Sequence, residues 1–357
     1  MKVAINILPL KSGHKNRGIG FYTSSLIENL KLDPQIKVQE FINLNEVNDV
    51  DIVHYPFYDL FFHTLPVRKK FKTIVTIHDV IPLLFPEHYP VGIRGRYAIM
   101  LQKLSLKSCK GVITDSEISR SDISRYLSFN KGKISTVYLA PNKEFKIQSD
   151  NRLIHVGRKY NLPSRYLLYV GDANWVKNLP FLLKGFAGLL NKNVDFRDIK
   201  LIMVGQVFLK KVESINHPEL ESLKEANRLI KDLSLERNII RPGDLNLDDL
   251  VSFYNLATVY IQPSMYEGFG FPLVEAFACG TPVLSSDRGS LPEIGGDAAV
   301  YFNPTNLNKF VSELELILRD NSLRSSLSKL GLKRSKEFSW RKVANETKSI
   351  YQKIIST

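Results

Sequence analysis

Two glutamates, Glu267 and Glu275, lie eight positions apart, a spacing that could place both carboxylates on one bound ligand. The turn between them consists of Gly268, Phe269, Gly270, Phe271 and Pro272. Glycine permits close backbone approach to a ligand, and proline suits the first turn of a helix, where its missing N–H costs nothing. Free N–H groups at a helix start bind anions, so a diphosphate fits in front of this turn. We expect one carboxylate at each end of a bound diphosphate compound.

The wider stretch from Pro263 to Ile294 resembles the E-x7-E signature of retaining enzymes of glycosyltransferase family 4. The matching residues are EGFGFPLVEAFACGTPV, followed by a loop and GSLPEI. The resemblance implies the GT-B fold, in which two Rossmann-like domains face each other across a cleft, and a nucleotide-diphosphate sugar as the donor. It also implies that Glu267 holds hydroxyls of the transferred sugar, helped by the turn amides, and that Glu275 holds the ribose hydroxyls. The alternative is a buried helix with capping glycines.

The composition fits a two-domain globular protein. A chain of 357 residues with 44% hydrophobic residues can form two cores. Its two cysteines, Cys109 and Cys279, lie in apolar surroundings and indicate neither a disulfide framework nor a metal cluster. No apolar run approaches the roughly 20 residues that span a bilayer, and the N-terminus does not resemble a signal peptide, so we expect a cytoplasmic protein.

The net charge of +13 is spread over both halves of the chain. Such basicity favours anionic substrates, nucleic acid or an anionic membrane surface. Nucleic acid is the weakest of the three, because the sequence has no nucleic-acid motif and no basic-aromatic platform. The sequence does not predict an oligomeric state.

The N-terminal part begins as a doubly wound α/β domain does: an apolar strand from Lys2 to Leu8, a polar loop, and a helix from about Phe21. The loop contains Gly18 and Gly20, which match the G-x-G loop that lines the cleft near diphosphate and acceptor in the family. Arg17 is then a candidate contact to phosphate or acceptor. A simple tight turn is the alternative.

A strand from Thr73 to Ile77 ends at His78 and Asp79. Ligands bind at the carboxyl ends of strands in open α/β sheets. The segment TIHDVIPLLFPEHYP also resembles one common in family members with mannosyl-type activity. We expect His78 to hydrogen-bond the transferred sugar or the phosphate and Asp79 to orient it. A satisfied core histidine is the alternative.

A long helical stretch between residues 92 and 110 combines apolar and basic residues. Its apolar residues are Ile99, Met100, Leu104 and Leu106. The basic residues here and in a preceding cluster are Arg94, Arg96, Lys103, Lys107, Lys110, Arg68, Lys69, Lys70 and Lys72. Such a face suits peripheral contact with an anionic membrane that holds a lipid-linked acceptor, although an ordinary solvated helix face is the favoured interpretation.

The second domain begins with the strand Tyr166 to Val170. The segment YVGDANWVKNLPFLLKGF resembles the family's YVG-x(5)-KN-x2-L-x2-AF, in which Gly171 and Lys177 match positions that bind the donor diphosphate. Asp172 and Val176 depart from basic residues found there in other members, which leaves Lys177 as the main cation. Leu245 lies in a loop that abuts the nucleotide base in the family.

These features predict four segments. Residues 1–150 form the acceptor-binding domain, 151–164 a linker and 165–337 the nucleotide-sugar domain, and the final helix, 338–357, packs back on the first domain. We place Glu267, His78 and Lys177 in catalytic roles. The cationic lysine, loop amides and a helix N-terminus can stabilise the leaving diphosphate without a metal or other cofactor. A His/Cys cluster, which would indicate a metal, is lacking from the sequence.

The resemblance implies retention of anomeric configuration, by same-face attack in which the leaving phosphate takes the acceptor proton, with no enzyme nucleophile. A GDP-sugar with a mannose-like hexose is the favoured donor and a UDP-sugar the next. The acceptor is a saccharide or lipid-linked saccharide of cell-surface polysaccharide synthesis. The alternatives are a sugar phosphorylase, a nucleotide-sugar epimerase and a non-catalytic GT-B homologue. A glycoside hydrolase ranks low, because a phosphate-binding turn separates the two carboxylates.

Overall fold

The computed structural model describes residues 1–13, 18–192, 194–210 and 221–357. The chain divides into two compact units. Unit 1 contains residues 1–140 and 338–357, and unit 2 contains residues 141–337. Each unit is built on its own six-stranded parallel sheet, which confirms the predicted pair of doubly wound α/β domains. No helix in the described ranges is long and apolar enough to cross a bilayer.

Unit 1 alternates strands and helices around a sheet with the order β2-β1-β3-β4-β5-β6. Its four central strands are almost entirely buried, as continuous apolar runs in a parallel sheet require, whereas the two edge strands are partly exposed. The strands are β1 (Lys2–Asn6), β2 (Lys37–Phe41), β3 (Ile52–Tyr55), β4 (Thr73–Thr76), β5 (Gly111–Thr114) and β6 (Ile134–Thr136). The helices are α1 (Gly18–Lys31), α2 (Ile81–Leu84), α3 (Ile93–Lys107) and α4 (Glu117–Leu127).

The last helix of the chain also belongs to unit 1. This helix, α13 (Trp340–Ser356), packs against α1. The Trp340 ring meets the Phe21 ring edge-on at 5.4 Å between centroids. At the other end of the contact, Lys348 Nζ lies 2.6 Å from Asp33 Oδ2. Apolar packing and an ion pair therefore hold the C-terminal segment on the first unit.

Unit 2 has the strand order β12-β11-β10-β7-β8-β9. The strands are β7 (Tyr166–Val170), β8 (Lys200–Val204), β9 (Ile239–Gly243), β10 (Val259–Gln262), β11 (Val283–Ser286) and β12 (Ala299–Phe302). The helices are α5 (Asp150–Lys159), α6 (Leu179–Lys192), α7 (Glu221–Asp232), α8 (Leu247–Leu256), α9 (Phe271–Ala278), α10 (Leu291–Gly295), α11 (Leu307–Arg319) and α12 (Asn321–Ser335). In this order the chain reverses direction across the sheet between β7 and β10, where ligands bind in such folds.

The predicted linker at 151–164 is wrong. Those residues belong to unit 2, whose boundary lies at Ala140/Pro141, and most of them form α5. The buried Asp249 carboxylate of α8 explains why this polar stretch folds. Arg152 and Lys159 of α5 contact its oxygens at 2.6 and 2.7 Å, and the Tyr160 hydroxyl donates to it at 2.9 Å.

Candidate active site

Two side chains contact each other directly at the edge of the second sheet, where the strand order reverses between β7 and β10. Lys177 ends a short 3-10 turn, Trp175–Lys177, between β7 and α6, and Glu267 lies in the loop between β10 and α9. Because β7 and β10 are hydrogen-bonded neighbours, their carboxyl ends deliver both loops to one edge of the sheet. Lys177 Nζ lies 2.7 Å from Glu267 Oε1, with both side chains mostly buried.

Two further polar side chains hold the same carboxylate. Gln262 Nε2 donates to Glu267 Oε1 at 2.7 Å, and Ser264 Oγ donates to it at 2.6 Å. We call Lys177, Gln262, Ser264 and Glu267 the Lys177–Glu267 cluster. Among the described residues, none of the three partners uses Oε2, so that oxygen retains its capacity to accept a hydrogen bond from a ligand.

The two loops that carry this cluster are also joined through their backbones. The Met265 N–H donates to the Val176 carbonyl at 2.7 Å. Asn178 Nδ2 donates to the carbonyls of Pro263 and Pro304, at 3.2 and 3.0 Å. Asn178 adopts a left-handed backbone conformation, with φ 55°, which asparagine tolerates better than most residues. The KN pair of the motif therefore supplies a cation and the residue that fixes its loop.

Two glycines allow the loop that carries Glu267 to pack closely against neighbouring residues. Gly270 caps α9 with φ +96°, and a Cβ there would lie 2.8 Å from Leu291 Cδ2. Gly289, with φ +59°, faces the backbone of Glu267, so a Cβ would come within 2.7 Å of both its N and O atoms. Ser290 Oγ donates to the carbonyls of Glu267 and Phe269 at 3.0 Å each. Sequence reasoning did not identify Gly289 or Ser290 as supports of this loop.

Glu275 lies in α9, one turn after the Gly270 cap. Its Oε2 accepts a hydrogen bond of 3.0 Å from the Tyr254 hydroxyl. Burial raises the pKa of Glu275 to about 7, an effect that this hydrogen bond reduces. The carboxyl group therefore titrates near neutral pH, and a hydroxyl-rich ligand that binds at neutral pH would encounter both its protonated and its ionised form.

In unit 1, His78 pairs with a residue that was not expected to serve the site. His78 Nδ1 lies 2.7 Å from Asp115 Oδ2, an arrangement we call the His78–Asp115 dyad. The two follow neighbouring strands, β4 and β5, which explains why they meet. Asp79, which was predicted to orient the histidine, accepts a hydrogen bond through its Oδ1 from Ile81 N at the start of α2, and its charge also favours the protonated form of His78.

The dyad is almost closed to solvent. The His78 and Asp115 side chains are 17% and 4% exposed. Burial is the largest single influence on the pKa of His78 and lowers it, but the Asp115 carboxylate, with smaller contributions from Asp79 and the Pro56 carbonyl, makes the net direction upward. Two buried atoms, His78 Nε2 and Asp115 Oδ1, have no hydrogen-bond partner among the described residues, although the Pro56 carbonyl favours protonation of the ring. The dyad therefore favours a protonated imidazole beside a carboxylate.

A series of hydrogen-bonded, buried polar side chains lies next to the dyad. The Tyr22 ring meets the His78 ring edge-on at 4.8 Å, and its hydroxyl lies 2.8 Å from Thr76 Oγ1. Thr76 Oγ1 is also 2.8 Å from His54 Nε2, and His54 Nδ1 is 2.6 Å from the Tyr351 hydroxyl of α13. Burial lowers the pKa of His54 to about 3, so this second histidine stays neutral.

The remaining predicted residues occupy varied positions. Gly171 directly follows the strand β7, and Leu245 is half-buried after β9. Phe269 is buried, and its ring lies 5.4 Å from that of Phe271, the first residue of α9. Gly268 lies in the loop between them and Glu267.

The glycines near the N-terminus differ from the prediction. The helix α1 begins at Gly18 and not near Phe21, so Gly18 and Gly20 lie in its first turn and not in a preceding loop. Gly20 is buried there. Arg17 lies outside the described residues.

The two family matches cover most of the chain. Residues 152–334 match the family described as "Glycosyl transferases group 1", and residues 21–144 match "Glycosyltransferase Family 4".

Among curated relatives, the chain is 32% identical over 289 residues to the O-antigen chain mannosyltransferase B of Escherichia coli, covering 81% of this chain and 72% of that protein. It is 28% identical over 277 residues to the serotype-specific mannosyltransferase WbdA of the same organism, covering 77% of this chain and 32% of WbdA, about a third of its length. Among solved structures, the sucrose-phosphate synthase from Thermosynechococcus elongatus is similar over 100% of this chain and 99% of its own, with a TM-score of 0.76 and 18% identity.

Proposed function

The chain belongs to the family of glycosyl transferases group 1 and has the GT-B fold, and from this premise we propose that it transfers a mannose-like hexose from a nucleotide-diphosphate sugar. The observation that carries the proposal is the 2.7 Å contact between Lys177 Nζ and Glu267 Oε1. A bound sugar nucleotide has its diphosphate next to its sugar, and an adjoining cation and carboxylate match that order of groups. The two side chains therefore lie where the bond between sugar and phosphate would break.

Lys177 acts on the leaving group. Its ammonium has three N–H donors, so it can contact a phosphate oxygen while it still pairs with Glu267. Negative charge on the diphosphate grows as the anomeric bond breaks, and a positioned cation in a mostly buried site stabilises that charge strongly. The N–H groups at the start of α9 add to the same effect. In this proposal the protein needs no metal and no other cofactor.

Glu267 acts on the sugar. Its Oε2 accepts hydroxyls of the hexose, while Oε1 stays bound to Lys177, Gln262 and Ser264. The acceptor attacks the face that the diphosphate leaves, the departing phosphate takes the acceptor proton, and the configuration is retained. The enzyme forms no covalent intermediate with the sugar in this scheme. Glu275 accepts the ribose hydroxyls.

The protonated His78 serves the reaction as a hydrogen-bond donor to the sugar or the phosphate. The raised pKa caused by Asp115 supports this role, because a charged imidazole donates through both ring nitrogens. We assign acceptor binding to unit 1.

The donor we propose first is a GDP-sugar and second a UDP-sugar, and the acceptor is a saccharide or a lipid-linked saccharide. The names of the two Escherichia coli mannosyltransferases support mannose and a role in cell-surface polysaccharide synthesis. A lipid-linked acceptor also makes peripheral contact with an anionic membrane part of the proposal, in a protein that works on the cytoplasmic side.

The test is a binding and turnover panel on the full chain. Thermal shifts are measured with UDP-, GDP-, ADP- and dTDP-sugars in the presence of a chelator, because a ligand that binds the folded state raises Tm according to its affinity. Donor hydrolysis and transfer are then followed for each nucleotide that binds. NMR of the product reports the anomeric configuration.

The expected result is one preferred nucleotide, turnover in chelator and a retained configuration. Lys177→Ala should weaken donor binding by about a hundredfold through the lost charge-assisted contacts. The control, Lys184→Ala, removes a lysine of α6 that is 49% exposed and should leave binding unchanged. Binding without turnover on any acceptor would favour a non-catalytic homologue, and a requirement for metal would overturn the metal-free scheme.

A further inference from the structure

The helix α3 of unit 1 exposes a stripe of large apolar side chains. Ile93, Tyr97, Met100 and Leu104 are 88%, 59%, 57% and 49% exposed. Their spacing of four, three and four residues puts all of them on one helix face. We call these four residues the α3 stripe. An apolar face of this kind normally faces a core, so its exposure to solvent requires an explanation.

The opposite face of α3 attaches the helix to its unit. Gln102 is fully buried there, and its Nε2 donates to the Asp59 carbonyl at 2.6 Å and to Thr64 Oγ1 at 2.8 Å. Gln102 Oε1 accepts from Leu65 N at 3.2 Å. These bonds fix the rotation of α3 about its axis. The α3 stripe is therefore the outer face of a firmly seated helix.

The charged side chains of α3 are all positive. The helix contains four basic residues and no acidic ones: Arg94, Arg96, Lys103 and Lys107. By helical geometry, Arg96, Lys103 and Lys107 lie along one border of the stripe. In the loop that Gln102 binds, Phe62 is 71% exposed and adds a further apolar ring to this part of the unit.

We propose that the α3 stripe docks on an anionic lipid membrane, with α3 parallel to the surface. The apolar side chains enter the region between headgroups and acyl chains, and the basic border contacts the headgroups. A second copy of this chain fits less well, because self-contact would put positive charge against positive charge. Nucleic acid would use the basic residues but has no need of an apolar stripe. The proposal rests on the membrane contact of the proposed function and names the surface that makes it, but it does not depend on the identity of the donor.

Vesicle flotation of the purified full chain tests the proposal. One set of vesicles is phosphatidylcholine alone, and in the other about a third of the lipid is phosphatidylglycerol, to provide the anionic surface that attracts basic residues. We expect co-flotation with the anionic vesicles and much less with the neutral ones. Binding should weaken at high salt, since salt screens exposed charges.

Two double variants separate the apolar and the basic contribution. Arg96→Glu with Lys107→Glu should reduce partitioning onto anionic vesicles by at least about tenfold. The control, Arg341→Glu with Lys353→Glu, reverses two exposed charges on α13 and should have little effect.

In the second variant, Ile93→Ser with Met100→Ser should reduce partitioning by about tenfold or more, because each lost side chain removes buried apolar area. The control, Ile154→Ser with Leu316→Ser, changes residues of unit 2 that are 51% and 49% exposed. All variants alter exposed side chains, and an unchanged Tm verifies that they fold.

The proposal is overturned if anionic vesicles do not bind the chain, or if both α3 variants bind as the wild type does. It is also overturned if light scattering shows self-association that the α3 variants abolish while vesicle binding is absent. Transfer to a short water-soluble acceptor is measured alongside. The α3 variants should retain that activity, so loss of docking is distinguished from failure of the proposed reaction.

Discussion

The Lys177–Glu267 cluster of unit 2 and the His78–Asp115 dyad of unit 1 both pair a cationic side chain with a carboxylate at 2.7 Å. They differ in the number of hydrogen bonds that hold each carboxylate. In the cluster, three donors converge on one oxygen of Glu267. In the dyad, the second oxygen of Asp115 and the second nitrogen of His78 are buried without a hydrogen bond to any described residue.

This difference separates two ways of holding charge. The cluster is preorganised by neighbouring groups, so its geometry is held by several contacts at once. The charge of the dyad depends mainly on the Asp115 contact and on the protonation of an imidazole, so it follows pH. Variants of the cluster should therefore change transition-state stabilisation, whereas variants of the dyad should change the pH dependence.

The largest effect is expected for Glu267→Gln. The glutamine has nearly the same shape but no charge, so it weakens the hold on the sugar hydroxyls and leaves Lys177 without its ion pair. We expect kcat/KM to fall by about a thousandfold, the upper range for loss of one preorganised polar contact. Steady-state transfer assays with the preferred donor measure it.

The matched control is Glu225→Gln. The Glu225 carboxylate also faces a lysine of unit 2, Lys184, at 3.9 Å, but both of these side chains are exposed. The activity of this variant should stay within twofold of wild type, as is usual for exposed pairs. If Glu267→Gln retained full activity, Glu267 would have a structural role and the comparison with the dyad would lose its basis.

A smaller effect with a different signature is expected for Asp115→Asn. The carboxylate raises the pKa of His78 against the effect of burial, so its removal should lower that pKa. The protonated imidazole is lost at pH values above its pKa. The alkaline limb of the kcat/KM profile should therefore move to lower pH, with about a tenfold loss at mildly alkaline pH.

Asp79→Asn is the control for this shift. Asp79 adjoins His78 and raises its pKa less than Asp115 does, so the limb should move less. An equal or larger displacement in Asp79→Asn would favour Asp79, and not Asp115, as the residue that sets the protonation of His78.

A third prediction concerns Glu275, a buried carboxyl group of unit 2. Burial raises its pKa from 4.5 to about 7. Ribose hydroxyls are donors and bind the ionised carboxylate best, so donor affinity should increase by up to about tenfold as pH rises through 7. Calorimetric titration across this range should show the increase in wild type and its absence in Glu275→Gln.

The same shift predicts the sign of a stability change. Between pH 4.5 and about 7 the folded chain keeps the Glu275 proton and the unfolded chain loses it. The free energy of unfolding should therefore fall as pH rises through this window, by at most about 3 kcal/mol. Glu275→Gln, which cannot ionise, should lack that part of the pH dependence. An identical slope in both proteins would contradict the assignment.

The sequence predicted the architecture and the motif residues better than it predicted their contacts. Lys177 and Glu267 were identified from separate motifs, but their direct contact requires β7 and β10 to be neighbours. That adjacency arises from a crossover that no local pattern displays. The fold class was predictable because buried parallel strands leave continuous apolar runs.

Other errors came from local signals that were stronger than distant ones. Asp115 precedes Ser116, the N-cap of α4, whose side chain accepts from Ser119 N, so capping chemistry explained the whole segment. The adjacency of β4 and β5 could have linked Asp115 to His78, since consecutive strands commonly pair. The sequence predicts a linker where the helix α5 lies, because the partner of α5, Asp249, is far along the chain.

The smallest effect is expected for Gly289→Ala, which tests whether backbone packing also holds the cluster. The residue has φ +59°, and a Cβ would lie 2.7 Å from the N and O atoms of Glu267. Strain at a left-handed position costs about 1–2 kcal/mol, which should appear as a lower free energy of unfolding in urea titrations. The contact should also displace Glu267, so kcat/KM should fall while the pH profile set by the dyad keeps its shape. Gly157→Ala is the control, because Gly157 lies inside α5 with open space around it, and alanine there should stabilise the chain by up to about 1 kcal/mol. If Gly289→Ala were as stable and active as wild type, the side-chain contacts of Lys177, Gln262 and Ser264 alone would suffice to hold the carboxylate.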